Sequence, residues 1–437
     1  MRNFLFKHID NSALIVFRMI FGALIFLESV GAIFTGWVTK TLVEPKFTFT
    51  FIGFEWLQPL PGNGMYIYYA IMGLFGLFVM VGYKYKWSML AFTLMWAATY
   101  FMQKSSYNNH YYLLMLLSAI MVFQPANTYY SVDAKLNPNI KSSSMPQWSK
   151  YVFILQLFIV YTFGSIAKLY PDWLDGTVIE LMMSAKKHFF LIGDVLQFKW
   201  IQQGIIYGGI LFDGLVIPLL LWKRTRKLAF FASIFFHLFN SFVFHVGIFP
   251  YLSLAFCLFF FDPKIIQRKF LKKKPLYTES EIKTPKFSNF YIGLFSIYFI
   301  FQIALPLRQH VIKDNVLWTE EGHRLSWRMM LRTKSGYSRF KVVDEKTGVT
   351  IPIRLNDYLT KKQQRGIGSK PDFIWQFSQH LKQEFSKKGT NIKVFVNCRI
   401  SINGKPRHQL IDPKIDLANV PWDTFKHSEW ILPSKLD

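Results

Sequence analysis

Long uninterrupted blocks of apolar residues fill the chain as far as Phe261 and return once at 291–305. An apolar run of roughly 20 residues crosses the hydrocarbon of a bilayer as one helix. In lipid every backbone N–H and C=O must be satisfied within the protein, so helices are the expected form of such runs. The candidate spans are 13–33, 66–81, 87–102, 111–123, 151–167, 204–222, 228–244, 248–261 and 291–305. That makes nine helices, or eight if one short run is re-entrant. The first run is too long for the apolar region of a signal peptide and has no clear small-residue cleavage site, so it reads as a first membrane helix.

Charge supports this reading. The formal net charge is +25, a balance that often accompanies nucleic acid, but no nucleic-acid motif goes with it. The basic residues instead gather between apolar runs. With Arg2 and Lys7 in the cytoplasm, nine crossings put the basic loops 83–86, 133–150, 223–227 and 264–274 on the same side, as the positive-inside rule requires. Lys186 and Lys187 are the exception, in an outer loop. An odd number of crossings places everything after Leu307 outside the cytoplasm. Cys257 and Cys398 read as free, unpaired packing residues.

The predicted architecture is therefore a mainly α polytopic membrane protein with a C-terminal extracytoplasmic α+β domain, divided at 1–306 and 307–437. In the second part, 337–343 and 349–353 alternate as strands around a turn at 345–348. Residues 372–388 have helical spacing, with Phe373, Phe377, Leu381 and Phe385 on one face. Residues 392–402 alternate as a strand, and Asn403-Gly404 has the composition of a hairpin turn.

A charged group at mid-bilayer costs at least about 2.5–3.5 kcal/mol, so ionisable residues in the apolar half need a reason. They are Arg18, Lys168, Asp213, His110, His237 and His245. His110 begins one candidate span and Lys168 ends the next, so both reach the outer face. His237 and Asn240 share a helical stripe. A lysine against apolar walls loses solvation and can serve as a neutral general base; a lysine at a helix end can also simply reach up to water. Arg18 is expected to pair with Asp213 or to bind backbone carbonyls.

These residues lie in strings that resemble those of the vitamin K-dependent γ-carboxylases. Tyr107-Asn108-Asn109-His110-Tyr111 resembles the family's W-N-N-H-S-Y, which holds a functional histidine. The segment Gly164-Ser165-Ile166-Ala167-Lys168-Leu169-Tyr170-Pro171-Asp172-Trp173-Leu174-Asp175-Gly176 resembles G-V-K-K-L-D-A-D-W-V-E-G, whose second lysine, the catalytic base, falls on Lys168. Phe236-His237-Leu238-Phe239-Asn240-Ser241 is similar to F-H-x-x-N-S, and Leu325-Ser326-Trp327-Arg328-Met329-Met330 to Y-S-W-D-M-M. Ser401-Ile402-Asn403 with Ile411-Asp412-Pro413 is similar to S-I-N…F-D-P-R-V-D. The strings occur in order from Phe17-Arg18 to Trp430.

The resemblance implies a carbon–carbon lyase that oxygenates a reduced vitamin K (a naphthohydroquinone of menaquinol type) to its epoxide with O2. The reaction is coupled to γ-proton abstraction and CO2 addition on a peptide glutamate, with no metal. The implied partners are a glutamate-containing peptide or protein, an isoprenoid quinol and membrane lipids, and no nucleic acid. In these terms Lys168 deprotonates the quinol hydroxyl. His110 and Asn109 orient the ring oxygen or the glutamate and stabilise negative charge. His237, Asn240 and Trp173 belong to the quinol or substrate site, and Trp327, Met329 and Met330 form an apolar lid against the flat ring.

Three departures qualify this picture. Ala167 replaces the first lysine of the pair, Arg328 replaces an aspartate, and the chain ends soon after Trp430, so docking through a propeptide is not expected. Two rival readings follow: quinol epoxidation or oxygenation without carboxylation, and a non-catalytic quinone- or lipid-binding membrane protein.

Overall fold

The structure, a computed structural model, describes residues 2–435. Its first part is helical: α1 (Ser12–Phe34), α2 (Gly64–Val81), α3 (Tyr85–Met102), α4 (Asn109–Val122), α5 (Trp148–Ile166), α6 (Lys199–Leu221), α7 (Arg226–Phe244), α8 (Phe249–Phe256), α9 (Pro263–Phe270) and α10 (Ser288–Leu307). All nine apolar runs are helical, but the count of eight or nine spans is not reached. Among the described residues six helices, α1, α2, α5, α6, α7 and α10, are long and apolar enough to cross a membrane. A seventh span results if α8 and its short extension are joined to α9, across a bend of 119°. α4, with 14 residues, is too short to cross straight.

The helices associate as lipid-embedded helices do, through small residues that let backbones approach. A Cβ built on Gly22 would lie 2.3 Å from Met80 N, and one on Gly76 would lie 2.8 Å from Phe26 N. Any larger residue there would push α1 and α2 apart. At the N-terminal end of α1, His8–Asp10 pairs antiparallel with Ser144–Pro146, and Lys274 Nζ reaches Asp10 Oδ2 at 2.8 Å with both side chains buried. Arg18, fully buried, takes the second of its two expected roles. Its guanidinium donates to the carbonyls of Ala126 at 3.0 Å and Tyr130 at 2.6 Å, and not to Asp213.

The C-terminal part is a four-stranded antiparallel sheet with a helix on it. The strands are β1 (Lys334–Asp344), β2 (Thr350–Ile351), β3 (Ile392–Ile402) and β4 (His408–Gln409), in the order β2-β1-β3-β4. Helix α11 (Pro371–Lys387) covers one face. Its Phe373, Ile374, Phe377 and Leu381 are fully buried with Val394, Val396 and Ile400 of β3, while Phe385 is only partly buried. Between β3 and β4, Asn403 and Gly404 both have left-handed φ, 51° and 77°, as a two-residue hairpin turn with this composition demands.

Part of this core comes from far upstream, where no local pattern announces it. The loop after α1 carries Phe47 and Phe49 into it. Phe49 is fully buried and stacks on Phe373 at 4.4 Å, and Phe47 stacks on His380 at 4.2 Å. Gln363 Nε2 donates to Phe47 O at 2.6 Å and Lys104 N to Phe49 O at 2.6 Å. The α+β region is thus built around a peptide from the helical half.

Candidate active site

Lys168 sits where α5 ends. Pro171 has no N–H to continue the ladder and opens the short helix Pro171–Leu174, so the chain turns and the lysine folds back along α5. Its Nζ donates to Gly164 O at 3.2 Å and contacts the Asp213 carboxylate of α6. The two side chains are only 10% and 6% exposed. The Trp173 ring lies 5.8 Å from Nζ. The expected wall of apolar side chains is therefore broken by a carboxylate. Isolated, either charge would be costly at this depth; together they form a buried pair whose value depends on both members being present.

A second cluster adjoins the first. Tyr161, on α5, contacts the His237 ring of α7, with 2.9 Å between its hydroxyl and Nε2. His237 and His110 both pack against Phe249, at 5.6 Å and 4.8 Å between ring centres. Phe212, next to Asp213, meets both Tyr161 and His237. Residues from α4, α5, α6, α7 and α8 thus converge on one patch of the helical part. Three buried polar atoms at or beside it have no hydrogen-bond partner: His237 Nδ1, Trp173 Nε1 and Trp327 Nε1. Asn240 donates to Phe236 O within its own helix, at 2.8 Å.

The 325–331 segment is held over this patch from both sides. Leu325, Trp327 and Met330 all have positive φ, at 61°, 57° and 51°, a region that non-glycine residues rarely occupy. The surrounding contacts impose it. Asn109 Nδ2 donates to Arg328 O at 2.9 Å, while the Tyr107 hydroxyl donates to Asn109 Oδ1 and accepts from Leu325 N, both at 2.8 Å. The segment's side chains part company. Trp327 is fully buried and stacks on Tyr112 at 4.9 Å. Met329 turns inward: a Cβ built on Gly164 would lie 3.4 Å from both Met329 Cε and Asp213 Oδ2. Met330 is 38% exposed and lines an outer cavity instead.

Below the segment, the Tyr170 hydroxyl donates to Leu331 O. Asn403 at the β-hairpin turn accepts from Thr333 N at 3.0 Å and donates to Asp172 Oδ2 at 2.9 Å. The S-I-N string therefore fastens the soluble sheet to the loop that carries Lys168. Replacing Asn403 by alanine leaves Asp172 and Thr333 without this bridge. The expected cost is about 1–3 kcal/mol, read as a lower thermal midpoint in detergent, with faster proteolysis in 325–335.

A further anchor joins the two parts. Asp372, at the start of α11, accepts from Arg324 at 2.8 and 3.2 Å and meets Lys104 at 2.7 Å. Burial alone would raise the Asp372 carboxyl, but the charges of Arg324 and Lys104 outweigh it and bring it down to about 2. A carboxyl whose folded value is depressed contributes stability above its unfolded value, near 3.8. That contribution is lost as pH falls through about 2. The wild-type interface therefore holds at pH 5 and loosens between about pH 4 and 2. Asp372→Asn is weaker throughout the neutral range and loses that acid dependence, as unfolding followed against pH would show.

An open cleft of about 830 Å³ is lined in part by Leu238 and Ile248, the sequence neighbours of His237 and Phe249. Leu24, Leu27, Leu238, Phe242 and Ile248 make it apolar, and Glu28, Ser241 and His245 are its polar points. Glu28 accepts from the Tyr111 hydroxyl at 2.6 Å, directly beside His110, and Ile248 adjoins Phe249. Pattern alone had offered Glu28, Tyr161, Phe249 and Asp372 no role. None stands in a distinctive string, and Asp213 was visible only as a lone buried carboxylate with the wrong partner.

Two family models match the chain, one on each side of residues 265–286, so that α10 falls within the second. A family model described as HTTM domain matches residues 6–264. A second, described as vitamin K-dependent gamma-carboxylase, lumenal domain, matches residues 287–437. No solved structure matches the chain.

Proposed function

The chain belongs to the vitamin K-dependent gamma-carboxylase family, and from that premise we propose that it is a multi-pass membrane enzyme coupling oxygenation of a reduced naphthoquinone to carboxylation of a peptide glutamate. The observation that carries this reading is the buried Lys168–Asp213 pair, lying beneath Met329 at the junction of the two parts. In this reading the 1–306 part holds the quinol and the 307–437 part lies outside the cytoplasm, with the N-terminus inside.

The residues present fit the quinol. The apolar cleft suits an isoprenoid tail arriving from the bilayer. In the interior, His237 Nδ1 and, near Lys168, Trp173 Nε1 are unpartnered polar atoms that a hydroxylated ring could satisfy. When bound, the quinol supplies the reducing equivalents for O2 and, through its oxygenation, the strong base for the γ-carbon.

The chain's own groups do the rest. In its neutral amine form Lys168 Nζ takes a proton from the quinol hydroxyl, and the Asp213 carboxylate holds the amine in place and pairs with the ammonium that results. His110 and Asn109 orient the reacting oxygen and the glutamate carboxyl; the Asn109 amide is already fixed by Tyr107 and by Arg328 O. Met329, Trp173 and Phe249 exclude water, which would otherwise quench a strong base. Trp327, stacked on Tyr112, fixes the segment from which Met329 hangs, and Met330 marks its outer edge. His237, oriented by Tyr161, and Asn240 line the approach from the cleft.

The test is an assay in lipid nanodiscs with reduced naphthoquinone, O2, labelled bicarbonate and a short glutamate peptide. Epoxide and fixed label should appear together. Epoxide without label would make the protein a quinol epoxidase, and neither product with quinone still bound would make it a binding protein.

A further inference from the structure

Outside the patch just described, a cavity of about 380 Å³ opens between the 320–334 segment and residues 362–373. Its walls carry Arg328, Arg332, Lys334, Lys362, Arg365 and Lys370, against the single carboxylate Glu320. That carboxylate is already engaged by Arg332 and by Lys334, the latter at 3.0 Å. Four cations are left over. Lys362 donates to Ser106 Oγ at 2.6 Å, Lys370 Nζ lies over the Phe373 ring at 5.1 Å, and Arg365 is exposed at the rim.

Arg328 is the exception to the rule that buried charge is paired. It is only 9% exposed. Among the described residues its guanidinium makes no hydrogen bond or close ion pair, its Nε is buried, and Tyr170 and Glu320 attract it only at longer range. Burial pushes the Arg328 guanidinium down to about 10, helped by neighbouring Arg332, and burial pushes the Lys334 ammonium down to about 8. The cavity is positively charged beyond what its own residues neutralise.

We propose that this cavity is an anion-binding exosite for an acidic peptide, taking carboxylates that flank the reacting glutamate, with Arg328 as its central donor. The proposal rests on the carboxylase reading and specifies the substrate for it: a polypeptide with clustered acidic residues. Two features favour a peptide over one small oxyanion. The free cations come from two separate segments, Arg328 from one and Lys362, Arg365 and Lys370 from the other, so they suit several carboxylates along a chain. The position is also right, because one residue of backbone separates Arg328, facing the cavity, from Met329, facing Lys168 and Asp213. An aspartate in place of Arg328, as in the resembling strings, would repel the same ligand, so the site belongs to chains that carry the arginine.

The experiment measures binding, with no quinol present, of a fluorescent peptide with four consecutive glutamates to the full chain in nanodiscs of zwitterionic lipid. The control peptide has glutamines at the same places. The glutamate peptide should bind at least about tenfold more tightly, and Arg328→Ala should remove about tenfold of that preference, with Arg328→Lys retaining most of it. Arg365→Ala, at an exposed position that does not threaten folding, should remove a smaller share. Equal binding of the two peptides, a preference untouched by both alanine variants, or full displacement by millimolar inorganic phosphate or by anionic lipid would each overturn the proposal. Because the readout needs no turnover, charge-dependent binding without carboxylation would fail the function alone, and carboxylation without charge preference would fail the exosite alone.

Discussion

Replacing Lys168 by alanine is expected to lower both epoxide formation and CO2 fixation by about 10²–10⁴-fold, the usual contribution of a positioned general base. The amine is within bonding distance of Asp213 and Gly164 O and near Met329, so its removal takes the lysine from the patch and opens space next to Trp173. Quinone binding should fall far less, because the cleft is lined by other residues. Measured side by side, turnover and quinone affinity separate the two effects. A variant that lost both equally would place Lys168 in ligand binding and not in chemistry.

The second large effect concerns Asp213. Asp213→Leu leaves Lys168 buried with no counter-ion, which should cost about 3–5 kcal/mol of stability together with most of the activity. The double change Lys168→Met with Asp213→Leu replaces the whole pair by apolar groups. It should recover most of the stability, since a buried pair exchanged for packed side chains is often neutral or better, while remaining inactive. Thermal unfolding in detergent, read beside turnover, gives the pattern: one unstable inactive protein and one stable inactive protein. If the double variant were as unstable as the single one, the pair would be holding α5 to α6 for the fold and not for a reaction.

Every apolar run became a helix, because the 3.6-residue period and the length of the runs leave no other way to satisfy the backbone in lipid. How many of them cross could not be read so directly. α4 is short and α8 breaks into a tight turn before Pro263, features that depend on neighbours and not on composition. The strands β1 and β3 and the Asn403-Gly404 turn were legible because period 2 and turn chemistry are local signals. Phe47 and Phe49 were not, since docking a loop into a distant core leaves no local periodicity. In the site, Lys168, His110 and His237 stood out as ionisable groups amid apolar sequence, while Asn109 came in only through the family resemblance. The identity of Lys168's partner needed the α5–α6 contact, and that Trp327 stacks away from the lysine while Met329 approaches it needed the positive φ of Trp327 and Met330.

The central claim is that this site produces a base able to remove the γ-proton of a peptide glutamate, and its most direct measurement is release of tritium from a γ-tritiated glutamate peptide without added CO2. Release should require reduced naphthoquinone and O2, exceed solvent exchange, and disappear in Lys168→Ala. Epoxide formed by the wild-type protein with no tritium released from an acidic, bound peptide would contradict it.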